Sequence, residues 1–134
     1  MEKIITLNFD GYYTVDSLPQ GRHECPGVYA VYRGNIVSPK ELLYIGRSGD
    51  ISNRPSPNHE RYEDWRNSLQ SGEDLYFSYA DTDDEEQAEA AIIFKIKPKL
   101  NLKGTKTFNY DKTTIITSGE NLFLQVPFTV LYTP

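Results

Sequence analysis

Leu43-Tyr44-Ile45-Gly46-Arg47-Ser48-Gly49-Asp50-Ile51-Ser52-Asn53-Arg54 is the stretch on which the reading of this chain turns. It opens as a short apolar strand and stops at a glycine. Small residues suited to a tight turn follow, and an arginine stands ten positions after the tyrosine. Upstream, Gly27-Val28-Tyr29-Ala30-Val31-Tyr32 reads as a second strand, rich in β-branched and aromatic residues, with a tyrosine two positions after its own glycine. Arg33-Gly34-Asn35 turns the chain, and the short connection predicts an antiparallel hairpin that holds Tyr29 near Tyr44. Apolar packing alone asks for valines at those positions, and for no arginines beside them.

Outward from the hairpin, residues 1–10 read as a strand closed by the turn signal Asp10-Gly11. Residues 11–26 read mostly as loop. Pro55 and Pro57 forbid a helix through 54–58, so the next helix is expected from just after Pro57 to about Leu69, ended by Ser71-Gly72. Asp74 to Ala80 alternates as a strand, with Leu75, Phe77 and Tyr79 on one side. Thr82 and Glu85 form a capping box for a helix running to about Lys97 and stopped at Pro98. On it Glu85, Glu89, Ile92 and Ile96 make one stripe, so Glu89 lies at the edge of the buried face. A glutamate there is costly unless it is paired or bound to metal. Thr113–Thr117 and Leu122–Tyr132 read as a closing hairpin, with Pro127 pushing its second strand to an edge.

At 134 residues the chain is read as one domain, 1–134, large enough to bury a core. Hydrophobic residues make up 38% and charged residues 25%, too apolar a balance for disorder. No apolar run approaches the roughly 20 residues of a membrane helix, and Met1 to Ile5 does not begin a signal peptide. The single cysteine, Cys25, excludes an intrachain disulfide, favours a cytoplasmic location, and is read as structural. Net charge is −5, which argues against a generic polyanion binder. The distribution is uneven: five lysines and no acid lie between Ala90 and Tyr110, directly after six acids between Asp81 and Glu89.

Tyr29, Tyr44, Arg47, Arg54 and Glu89, with His59 and Asn101 in reserve, are the polar residues this layout directs to one place. A lone carboxylate among arginines and tyrosines suits a phosphodiester held with one divalent ion. Gly27-Val28-Tyr29 followed by Tyr44-Ile45-Gly46 resembles the GIY-YIG nuclease family. The likeness continues through Arg47, Arg54, Glu89 on a helix, and Lys97-Pro98-Lys99-Leu100-Asn101. It covers about residues 26–103, leaving an N-terminal extension, 1–25, and a C-terminal hairpin extension, 104–134.

The resemblance implies an α+β fold: a small three-stranded antiparallel central sheet flanked by helices, with an extra N-terminal strand and the C-terminal hairpin. It further implies an endonuclease that hydrolyses DNA with one Mg2+ or Mn2+ ion. In that reading Glu89 binds the metal, Tyr29 activates the attacking water and Tyr44 hydrogen-bonds within the cluster. Arg54 stabilises the pentavalent phosphate, Arg47, Lys97 and Lys99 meet DNA, and Asn101 braces the site. Relatives carry a histidine or tyrosine about one helical turn after the arginine. Here Pro55 and Pro57 interrupt that helix, so either His59 reaches the site as a proton carrier or hydrogen-bond donor, or Tyr62 takes that place. A homodimer or partner protein would supply the basic surface that the net charge denies. The alternative is a GIY-YIG scaffold that binds nucleic acid or a protein without cutting.

Overall fold

The structure, a computed structural model, describes residues 2–134. Strand β1 spans Lys3–Tyr13, β2 Gly27–Gly34, β3 Pro39–Ser48, β4 Asp74–Asp81, β5 Thr113–Gly119 and β6 Phe128–Val130; helix α1 spans Tyr62–Asn67 and α2 Glu85–Ile96. A 3₁₀ turn, Ile51–Asn53, leads into Arg54. All six strands belong to one sheet in the order β3-β2-β4-β1-β5-β6.

The expected small three-stranded sheet flanked by helices is therefore corrected to a six-stranded, curled, mixed sheet with two α-helices. The cause is β1, which finds a partner on each side. Residues 3–9 pair in parallel with β5, from Lys3↔Thr113 to Phe9↔Gly119. Asp10 pairs antiparallel with Tyr79 of β4 and, after a register shift, Tyr13 with Phe77. The strand expected over 1–10 thus runs on to Tyr13, and its first residue, Met1, lies outside the described residues. The closing hairpin pairs β5 with a β6 of three residues.

Two apolar clusters lie on opposite faces of the sheet. Val28 and Ala30 of β2 join Ile5, Leu7 and Phe9 of β1 and Ala88, Ala91 and Ile92 of α2 in one. Tyr29 and Val31 join Leu75, Phe77 and Tyr79 of β4 and Trp65 of α1 in the other. β2 is consequently buried on both faces, as an apolar run without polar alternation requires. Buried Trp65, with Tyr62 packed beside it, anchors the short α1: truncating such a tryptophan to alanine costs about 3–5 kcal/mol.

Both helices depart from expectation at their starts. α1 begins at Tyr62 because Pro55 and Pro57 give way to turns, His59 N–H donating to Ser56 O and Tyr62 N–H to His59 O. In α2 the cap is Asp84, without a side-chain cap bond. Thr82 Oγ1 accepts from Asp84 N–H, two residues on, so it forms a turn before the helix and not the predicted box with Glu85. Lys97 closes α2 in the left-handed region, at φ 53°.

Candidate active site

β3 is an edge strand, and this decides where the site is. Its middle is covered by the segment after α2. Leu100 N–H donates to Leu43 O, and the Asn101 amide bridges Ile45 by accepting from its N–H and donating to its carbonyl, each at 2.9 Å. Beyond Ile45 the edge opens, and a cleft of about 410 Å³ lies along it, lined by Tyr29, Tyr44, Gly46, Arg47, Arg54 and Glu89 among others. Tyr29 stands on the α1 face of the sheet, whereas α2, which carries Glu89, packs on the other face. The two would be separated at a central strand. They line one cleft because the sheet ends there.

Gly46 opposes Tyr29 in the β2–β3 ladder. A Cβ at Gly46 would overlap Cζ and Oη of Tyr29, and one at Gly27 would overlap the carbonyl oxygen of Ala80. Each glycine of the paired motifs thus answers to a close approach, the first clearing the phenol, the second the neighbouring strand.

The turns made by Pro55–Arg61 bury the His59 side chain completely. Its Nδ1 accepts the backbone N–H of Arg61 at 2.9 Å. In a neutral imidazole the proton is then on Nε2, which lies 2.7 Å from Tyr29 Oη and donates to it. The Arg54 guanidinium lies 3.2 Å from the same nitrogen, and its positive charge favours the phenolate. With His59 donating to its oxygen, Tyr29 keeps its own hydrogen for the cleft. Burial lowers the His59 pKa to about 4, the Glu60 carboxylate partly opposing this. His59 is therefore neutral at neutral pH, with its Nε2–H the donor to Tyr29.

Burial also raises the Tyr29 phenol, with Tyr44 adding to the effect and Arg54 opposing it. Tyr44 is raised mainly by burial and next by Glu89. The Glu89 carboxyl is pushed up by burial, against the pull of Arg47, whose Nε lies 3.5 Å from Glu89 Oε1 and whose Nη1 lies 3.8 Å from Glu86. Arg54 donates to Glu60 Oε1 at 2.9 Å, which holds the Glu60 carboxyl down at about 2. Both arginines facing the cleft are thus held by carboxylates.

Among the described residues no three His, Cys, Asp or Glu side chains gather as a metal-binding group. A divalent ion here would rest on one carboxylate, with waters and phosphate oxygens completing its shell, as magnesium commonly does. Glu89 fits that part: it is partly buried and has a raised pKa, and a 3.5 Å contact with Arg47 is its nearest ion pair.

Two residues expected to meet DNA are otherwise engaged. Lys97 Nζ donates to the carbonyls of Phe94 and Thr105 at the end of α2, and Lys99 Nζ lies 3.9 Å from Glu41. Glu60 was not expected here. Beside it, Arg61 sits over the Tyr44 ring at 5.6 Å, held by Asp64 and by the Leu100 carbonyl. The only sequence signal for Glu60 is adjacency to His59, since a proline-broken turn has no periodicity to reveal which way it faces.

No helix among the described residues is long and apolar enough to cross a membrane. No family model matches the chain, and neither a curated protein nor a solved structure matches it.

Proposed function

We propose that this chain is a GIY-YIG-like, divalent-metal-dependent endonuclease that hydrolyses DNA phosphodiester bonds at the β3 edge. The single observation that carries the reading is the meeting of Tyr29, Arg54 and Glu89 in one open cleft, from three separate parts of the sequence. Gly46, required by the Tyr29 phenol, and Asn101, bound to the backbone of Ile45, support it by tying the paired motifs and the terminal asparagine to that geometry.

Arg54 and Arg47 bind the non-bridging phosphate oxygens once the phosphate displaces their carboxylate partners. Magnesium or manganese at Glu89 would supply positive charge at the phosphate. Tyr29 orients the attacking water and, as phenolate, takes its proton. The His59 Nε2–H and the Arg54 guanidinium stabilise that phenolate, but burial outweighs them in the free protein. A divalent ion held at Glu89 would supply the further positive charge that lowers the phenol toward a usable base.

The test is incubation of supercoiled plasmid, linear duplex, single-stranded and flapped DNA with the protein and Mg2+ or Mn2+. Cleavage that EDTA abolishes is the expected result. Absence of cleavage on every substrate with either ion overturns the nuclease reading and favours the binding scaffold.

A further inference from the structure

A second pocket, of about 440 Å³, shares Tyr44 and Glu89 with the phosphate cleft and continues it along α2. Its chemistry is different. Ala90 and Ile93 of α2 and the side chain of Leu102 give it apolar walls, whereas the cleft is lined mainly by polar groups. Leu102 is 75% exposed, an apolar side chain left in water beside a charged cleft. Lys103 stands at the rim and has no ion-pair partner among the described residues. Arg61 completes the pocket. Three anchors fix its guanidinium: Asp64, the Leu100 carbonyl and the face of Tyr44. A planar group so restrained is ready to stack, with little side-chain freedom left to lose.

We infer that this pocket receives the nucleobase next to the scissile phosphate, unstacked from its neighbours, so that the substrate class is DNA with an unpaired nucleotide at the cutting site. This deepens the nuclease reading and rests on it. The group attached through one sugar to a phosphate in the cleft must fall within a few ångströms of it, and the adjoining pocket is where the apolar surface lies. The volume is within the ~300–1,000 Å³ that pockets for small ligands occupy. Guanidinium planes and apolar walls receive splayed bases in single strands. A duplex keeps its bases stacked inside and cannot reach the pocket without unpairing.

The test measures binding with EDTA present, so that cleavage plays no part. The probe is an oligonucleotide with one 2-aminopurine, used as a single strand and annealed into a duplex, at low salt. The parent protein is expected to bind the single strand about tenfold or more tightly than the duplex, the scale of one base stacked on a side chain, with a change in 2-aminopurine emission. Leu102→Gln alters an exposed position and puts a polar, uncharged amide on the apolar wall; Ala90→Trp fills the pocket from α2. Each should abolish the single-strand preference and leave duplex affinity unchanged, with circular dichroism confirming the fold. Equal affinity of the parent for both forms, or a preference that survives both variants, overturns the base pocket and leaves the nuclease reading standing. Failure to bind either form overturns the base pocket, and the cleavage assay with Mg2+ or Mn2+ then decides the nuclease reading separately.

Discussion

Tyr29 Oη accepts a hydrogen bond from His59 Nε2 at 2.7 Å, and the backbone N–H of Arg61 on the other ring nitrogen fixes the direction of that bond. The histidine therefore works by holding the tyrosine oxygen in place. Its own titration, near pH 4, lies well below the working range.

The cleavage rate should rise with pH through neutrality as Tyr29 gives up its proton, with no acid limb near pH 6.5 from His59. His59→Gln retains an N–H where Nε2 stood and should keep activity within about tenfold of the parent. His59→Ala should lose about a hundredfold, the scale of one oriented donor. Single-turnover rates from pH 5.5 to 9 check this, with ¹⁵N shifts of the imidazole reporting the Nε2–H tautomer. An Nδ1–H tautomer would rule out His59 as the donor.

Substitution at Gly46 tests the packing under the phenol. A methyl at this position overlaps Tyr29 Cζ and Oη, and Gly46→Ala should cost about 1–3 kcal/mol and displace the phenol. Gly49 lines the same cleft, yet a Cβ there meets nothing within 4 Å. Gly49→Ala should stay within ~0.5 kcal/mol of the parent. Denaturant titrations of the two variants measure the contrast.

Glu60 occupies the guanidinium that a phosphate oxygen would take. Glu60→Gln removes that competitor, so DNA affinity in EDTA should increase several-fold. The slope of log K against log salt should steepen by about 0.9, the contribution of one further phosphate contact on duplex DNA. An unchanged slope would mean that Arg54 does not meet phosphate.

Away from the cleft, His23 donates from both ring nitrogens, to Asp81 at 2.6 Å and to Asp10 at 2.7 Å. It lies in the left-handed region, φ 61°, with its ring stacked on Tyr79. Burial lowers its pKa, but the two carboxylates win and the net shift is upward from 6.5. The folded state thus binds this proton more tightly than the unfolded chain. The stability it adds is complete below pH 6.5 and is lost as pH rises through the elevated value. His59 acts in the opposite sense. Its folded pKa of about 4 means stability is lost as pH falls from 6.5 toward 4. Stability should therefore peak near pH 6.5. His23→Gln should flatten the alkaline side of the profile and His59→Gln the acid side, as read from melting temperature against pH.

What the sequence disclosed is local. The β2–β3 hairpin followed from two glycine-bounded apolar runs, and β4 from the alternation of Leu75, Phe77 and Tyr79, which do share one cluster. What it concealed is long-range pairing. Residues 3–9 of β1 and Thr113–Gly119 are joined across about a hundred positions, and no periodicity within either segment specifies a parallel partner. The site shows the same division. Tyr29, Tyr44, Arg54 and Glu89 stood out as residues that packing does not require. That Glu89 lines the same cleft as Tyr29 from the opposite face, round an edge strand, is a property of the strand order and of no local pattern. Glu60 and Arg61 sit in a turn broken by Pro55 and Pro57, where neither helical nor strand spacing applies.

The most direct test of the account is single-turnover cleavage of one labelled DNA with Mn2+ by the parent, Glu89→Gln and Tyr29→Phe, with DNA binding measured in parallel. Glu89→Gln keeps the size of the side chain and removes the charge that holds a divalent ion; Tyr29→Phe removes the oxygen that His59 and Arg54 address. Both should cut at least about a hundredfold more slowly than the parent, while DNA binding survives and, for Glu89→Gln, equals or exceeds that of the parent. Cleavage by Glu89→Gln at the parental rate would contradict the account, because the ion and the chemistry would then lie elsewhere.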